Sequence, residues 1–275
     1  MIVDYHMHLR RPGSGDVEHP EHTVEAVERY VEAAARAGVD EIGLSEHVYY
    51  FRETEALWSL AYQRDRCRYT LDAYCDAILE AKRRGLPVKL ALEVDWVGDR
   101  WEELAAALEP YPWDYLLGSV HWLDGFAVDS RPGLWEVEPV ETVWRRYFGA
   151  LTEAAASGFC DVLAHPDLAK IYGLRPDPGV VAELHERTAD AVAAAGVAVE
   201  VSTAGLHKPV GELYPDLSFL IACRERGVPI TLASDAHLEE HVGRDLRRAV
   251  AHAEAAGYET VSVLDRRERR QEPLG

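Results

Sequence analysis

The sequence predicts an α/β fold, a distorted (β/α)7 barrel, on three observations. Seven short apolar runs are spread along the chain, helical stretches separate most of them, and a glycine repeatedly stands where helix gives way to strand. Apolar runs of this kind suit parallel strands whose outer faces are covered by helices. An open doubly wound sheet is the competing architecture. Closure is favoured because all but one of the runs end in a His, Glu or Asp, and an open sheet would carry its outer strands away from a shared centre.

In chain order, the first run is Ile2-Val3-Asp4-Tyr5-His6-Met7-His8. A helix is expected from Thr23 to Ala37, closed by Gly38, before the run Glu41 to His47. Leu71 to Arg84 and Gly85 then lead to Lys89–Asp95, which contains Glu93. The fourth run is Tyr115 to His121. The stretch Val140 to Ser157 and Gly158 precede Val162–Asp167, with His165. Pro178 to Ala195 and Gly196 precede Val197 to Thr203, the one run without an obvious ligand. Gly227 precedes Ile230–His237, with Asp235 and His237. A last helix is expected from roughly Gly243 to Ala256, then a strand-like piece at 260–264 and a polar tail, about 265–275, expected to fray. No Pro/Gly/Ser-rich linker interrupts this alternation, so one domain over 1–275 is expected.

The 275 residues carry 29 basic and 48 acidic side chains, a formal charge of −19. That balance disfavours long nucleic acids and anionic membranes, but permits a small anionic substrate received by metals and a few basic residues. No apolar stretch approaches membrane-spanning length, and the chain opens on a strand rather than a basic-then-apolar signal. The four cysteines lack C-x-x-C spacing. Free thiols and a cytoplasmic location are expected.

His6 and His8, two apart on a strand, point to the same face. His47, Glu93, His121, His165, Asp235 and His237 recur at the same place in their own units. Each taken singly reads as a hydrogen-bonded core residue or a cap, but burying so many polar groups together is unfavourable unless metals or a wide pool of water join them, and metals are the favoured reading. Imidazole with carboxylate suits Zn, Mn or Fe and makes Mg alone a poor choice. Glu93, with two oxygens, is the expected bridge in a site for two or three divalent metal ions. Such ions make bound water acidic enough to supply hydroxide at neutral pH.

These motifs in this order resemble the PHP (polymerase and histidinol phosphatase) family. They are His6-Met7-His8, Ser45-Glu46-His47, Leu92-Glu93-Val94-Asp95, Gly118-Ser119-Val120-His121, Ala164-His165-Pro166-Asp167 and Ser234-Asp235-Ala236-His237. Trp113-Asp114-Tyr115, His165-Pro166-Asp167-Leu168 and Ser202-Thr203-Ala204-Gly205-Leu206 ahead of Tyr214-Pro215 resemble the histidinol-phosphate phosphatases of that family most. The resemblance implies a PHP-type barrel and a phosphomonoesterase whose metals hold a bridging hydroxide. It implies one metal on His6, His8, Glu93 and Asp235, and a second on Glu93, His121 and His165. A third would sit on His47, His237 and a loop ligand. Where the family has that loop His, this chain has Ser14; His22 is the replacement, with His19 as runner-up. The family's phosphate-binding bases map to Lys170, His207 and Lys208. Glu93, Asp235 and His237 are the residues expected to carry catalysis. Competing readings are a PHP phosphoesterase acting on nucleotides or other small phosphates, an amidohydrolase-like enzyme, and a non-catalytic metal-binding module.

Overall fold

The structure is a computed structural model and describes residues 1–10, 22–130 and 133–275. Ser14 and His19 lie outside the described residues. The strands are β1 (Val3–Asp4), β2 (Glu41–Leu44), β3 (Val88–Asp95), β4 (Tyr115–Ser119), β5 (Trp122–Leu123), β6 (Phe126–Ala127), β7 (Val162–Leu163), β8 (Ala198–Ser202), β9 (Ile230–Ala233), β10 (Thr260–Asp265) and β11 (Glu268–Pro273). The helices are α1 (Val24–Ala37), α2 (Ala61–Arg64), α3 (Leu71–Arg83), α4 (Trp101–Leu108), α5 (Leu134–Val137), α6 (Val140–Ala156), α7 (Pro178–Ala195), α8 (Leu217–Glu225) and α9 (Leu246–Ala255).

Among the described residues, a seven-stranded sheet runs β1-β2-β3-β4-β7-β8-β9, with every neighbouring pair parallel. Its ends approach one another through Tyr5 N donating to Leu232 O at 3.0 Å and His8 N to Ala236 O at 2.8 Å. The result is the nearly closed (β/α)7 barrel the alternation predicts. All seven sequence runs contribute a strand to it. The lumen is filled by large side chains: Tyr115 donates to Tyr5 O, and a Cβ at Gly43 would lie 1.6 Å from the Tyr115 hydroxyl.

The helices form where capping and periodicity place them. Thr23 caps α1, its hydroxyl accepting from Ala26 N, and Gly38 closes it at φ 73°. Ala26, Val27, Tyr30, Ala33 and Ala34 make the buried face, and Tyr30 donates to His8 O at 2.8 Å. That contact fastens an outer helix to the backbone of a candidate ligand. Asp177 caps α7, with Pro178 in the first turn and Gly196 at φ 70° beyond its end. Among the described residues, no helix is long and apolar enough to cross a membrane.

Three features depart from expectation. The last helix starts at Leu246 rather than near Gly243, because Gly243 and Asp245 have φ of 73° and 61°. An unforeseen hairpin, β5–β6, follows the fourth barrel strand. The tail is a paired strand: β11 lies antiparallel to β10, and the Met1 ammonium donates to Pro273 O at 2.7 Å. Arg267 pairs with Asp161 at 2.6 Å and Lys89 with Asp265 at 3.0 Å. β11 is exposed and polar along most of its length, so backbone bonds and ion pairs hold it, and neither leaves a hydrophobic pattern to read.

Candidate metal centre

The carboxyl ends of the barrel strands deliver the site. Beyond β1 the chain stays extended, with Met7 bridged to Ala236 and buried, so His6 and His8 fall together on the other side. Glu93 lies inside β3 and is fully buried. Its Oε2 is 2.7 Å from His47 Nδ1, 3.3 Å from His6 Nε2 and 3.7 Å from His8 Nε2. Its Oε1 is 3.0 Å from His165 Nε2 and 3.4 Å from His121 Nε2. Asp235 Oδ1 is 3.3 Å from His8 Nε2 and 3.8 Å from His6 Nε2. Thus one carboxylate faces two sets of imidazoles, one with each oxygen.

Four groups of three have ligand atoms all within 4.8 Å of one another: His6/His8/Asp235, His6/Glu93/His165, His47/Glu93/His121 and His8/His47/His237. Many of these atoms lack any hydrogen-bond partner among the described residues. His6 Nε2, both nitrogens of His8, His47 Nδ1, Glu93 Oε2 and His165 Nδ1 are buried and unsatisfied. His47 Nδ1 and Glu93 Oε2 are close but misaligned for a hydrogen bond. Each such orphan costs about 1–3 kcal/mol, so several turned on one centre form the donor set of divalent cations. Two of the candidate ligands also have unusual backbones, His165 at φ 26° and Asp235 at φ 54°. A conformation of that kind costs on the order of 1–3 kcal/mol and persists because the surrounding barrel imposes it.

Behind the imidazoles stands a row of carboxylates. His6 Nδ1 donates to Glu200 Oε2 at 2.8 Å, and Glu200 Oε1 accepts from His165 N at 3.1 Å. His121 Nδ1 donates to Asp95 Oδ1 at 2.9 Å. Glu46 Oε1 is 3.8 Å from His8 Nδ1. The His6 and His121 pairings leave Nε2 as the free ligand atom and orient the rings. The electrostatics follow. Burial opposes charge on His6, but Glu200, Glu93 and Asp235 hold its pKa well above the usual value. Burial likewise opposes Glu93 and Asp95, which raise His121 to about 10. His8 is lowered to about 3 by burial and by its neighbours His237 and His47. Glu93 is held well below the carboxylate range; burial resists this, and His6, His47 and His121 prevail.

The cleft above the centre has a volume of about 1150 Å³. His47, His121, Asp235 and His237 contribute to it, with the aromatic rings of Tyr49, Tyr62, Trp122 and Phe126 and the bases Arg10, Arg66, Lys208 and Arg244.

The structure brings together His6, His8, His47, Glu93, His121, His165, Asp235 and His237, as the sequence predicts. It does not bring His22 with them. That residue directly precedes the α1 cap, where its ring packs among Phe51, Tyr69 and Tyr74, and its Nε2 is 3.7 Å from Glu46 Oε2. His8 takes the expected place of the loop ligand beside His47 and His237. Lys170, expected as a phosphate-binding base, is 1% exposed; its ammonium donates to Leu213 O at 2.7 Å and pairs with Asp167 at 2.9 Å. His207 pairs with Asp245 at 2.8 Å, and Lys208 is exposed at the cleft. Sequence reasoning missed Glu200 and Asp95, although each carried a signal, a charge inside an apolar run.

The PHP domain family matches residues 18–204 of the chain. A probable histidinol-phosphatase of Deinococcus radiodurans is 32% identical over 272 residues, 97% of this chain and 98% of the relative. A probable histidinol-phosphatase of Schizosaccharomyces pombe is 23% identical over 263 residues, 89% of this chain and 86% of the relative. Among solved structures, the histidinol phosphate phosphatase of Lactococcus lactis, complexed with zinc, L-histidinol and phosphate, superposes with a TM-score of 0.76. The identity there is 20%, with 98% of both chains covered, so this comparison shows a shared fold.

Proposed function

Since the chain belongs to the PHP domain family, we propose that it is a metal-dependent phosphomonoester hydrolase that converts L-histidinol phosphate and water to L-histidinol and phosphate. The observation that carries the reading is Glu93, fully buried, with its two oxygens turned to different imidazoles. A buried carboxylate so placed is built to be shared between cations.

In the arrangement we favour, His6, His8, Asp235 and Glu93 would hold one divalent ion, and Glu93, His121 and His165 would hold a second. His8, His47 and His237 form a third group, so a third ion would share His8 with the first. Zn, Mn and Fe all suit this donor set. When bound, such ions supply the Lewis acidity that makes water nucleophilic and neutralises charge building on phosphate oxygens.

The chain's own residues do the rest. Glu200 and Asp95 keep the His6 and His121 rings from turning. Asp235 stays ionised although burial opposes it, because His6 and His8 face it. His237 is lowered from its usual value by burial, which keeps its lone pair available. Both therefore serve better as ligands than as acids. Tyr49, Tyr62 and Trp122 line the cleft and offer flat apolar surface to an imidazole-bearing leaving group.

The test is phosphate release from a panel of phosphomonoesters after loading with Zn, Mn or Fe. Histidinol phosphate is expected to exceed nucleoside monophosphates in kcat/KM by on the order of 100-fold, the scale that apolar pocket contacts give. An equal or better rate on a nucleotide would overturn the assignment of substrate.

A further inference from the structure

Two of the three expected phosphate-binding bases are already engaged. Lys170 is buried in its own ion pair, His207 is held by Asp245, and Lys208 sits exposed at the cleft. Arg244 is placed differently. The backbone around it is pinned at three points: Gly243 N donates to Asp4 Oδ2 at 2.8 Å, Arg244 N to His241 O at 3.0 Å, and Thr203 Oγ1 to Arg244 O at 2.8 Å. Asp4 also accepts from Ser234 N at 2.8 Å, so one buried carboxylate ties the Arg244 loop to the segment that carries Asp235. Gly243 closes the turn at φ 73°, where a Cβ would come within 2.7 Å of Ala37 Cβ. The arginine side chain lines the cleft with Asp235 and His237, and its Nε is buried with no hydrogen-bond partner among the described residues.

No carboxylate pairs with this guanidinium among the described residues, although Asp245 is adjacent. That carboxylate turns to His207 at 2.8 Å and Arg248 at 4.0 Å instead. The other cleft arginines are engaged: Arg66 lies over the Tyr62 ring and donates to Tyr62 O at 2.8 Å, and Arg10 donates to Tyr50 OH at 3.0 Å. In a chain of net charge −19, a guanidinium with no carboxylate partner among the described residues, lining the cleft that His237 and Asp235 also line, is poised for an incoming anion.

We propose that Arg244 is the phosphate-binding arginine of this cleft, taking two oxygens of the phosphomonoester, and of the phosphate product, through its planar fork. The inference rests on the phosphomonoesterase reading above. A bidentate charged contact of this kind gives about ten- to hundred-fold in binding. Lysine in its place supplies a point charge without the fork.

The experiment compares wild type, R244Q and R244K for KM, for inhibition by inorganic phosphate and for metal content by mass spectrometry. R244Q is expected to raise KM and the phosphate inhibition constant by about ten- to hundred-fold at unchanged metal content, with R244K in between. Unchanged constants in R244Q would overturn the assignment. So would a normal constant per metal-loaded site in a variant that merely loses metal. Should R244Q not fold, R244K alone decides, since a wild-type inhibition constant there overturns the fork. If wild type releases no phosphate from any ester, the function reading fails separately. Calorimetry with inorganic phosphate on zinc-loaded protein then decides Arg244: equal affinity in wild type and R244Q rejects it, and weaker affinity in R244Q upholds it.

Discussion

Glu200→Gln is the sharpest probe of how the centre is built, because it changes one charge and almost no volume. Glu200 is fully buried and makes two contacts: one oxygen accepts from His6 Nδ1 at 2.8 Å, the other from His165 N at 3.1 Å. A carboxamide has one acceptor oxygen, so one of the two bonds must be lost, and its NH2 group then faces a donor. If His6 loses its partner, the ring is no longer held with Nε2 toward Glu93. Losing a hydrogen bond to a charged group costs roughly 1.5–3 kcal/mol, which is about 10- to 150-fold in an equilibrium constant. Metal affinity is therefore expected to fall by about 10- to 100-fold, the scale seen when groups behind a ligand are changed. The assay is zinc retention against a graded chelator, followed by phosphate release at saturating zinc, with circular dichroism to verify the fold. At saturating metal most activity should return. Wild-type zinc retention in E200Q would refute the reasoning, because the carboxylate would then be shown not to orient His6.

Two further outcomes follow from the geometry. In the metal-free protein at neutral pH, His6 and His121 carry protons, the first held well above its usual value and the second raised to about 10. Cations must displace both, so zinc loading in weakly buffered solution near pH 7.5 should release about two protons per chain and bind more tightly as pH rises, read with an indicator dye. Loading without acidification would show that those imidazoles are already neutral in the metal-free protein or are not displaced by metal, and would refute the proton-coupled loading. Lys170→Met leaves Asp167 buried without its partner, and breaking such a pair costs about 3–5 kcal/mol. Tm should fall on the order of 10 °C, by calorimetry, while KM for the phosphomonoester stays near wild type. A raised KM at unchanged Tm would restore Lys170 as a phosphate-binding base.

The candidate ligands were legible for a definite reason. A barrel strand presents its last residues to a common rim, and side-chain alternation assigns the face, so the position of His6, His8, Glu93 or Asp235 within its unit carries spatial information. The helix ends were legible through Thr23, Gly38 and Gly196, whose backbone preferences are local. Lys170 shows where this fails. Its place after His165 suggested a base facing the cleft, but its burial is decided by Asp167 and by Leu213 O, the latter supplied by a later segment. His22 fails in the same way: counting residues placed it near the ligands, and packing against Phe51, Tyr69 and Tyr74 put it elsewhere.

By itself, the sequence determined the barrel, the order of its strands and eight residues of the candidate metal centre, because each is written in a local pattern of period, cap or run end. The tertiary structure alone decided which groups stand behind those residues. It paired Glu200 with His6, Asp4 with Gly243, the tail with Met1, and it left Arg244 open to the cleft. Such pairings join residues far apart in the chain, as His6 and Glu200 are by 194 positions, and only the closure of the barrel brings them within hydrogen-bond reach.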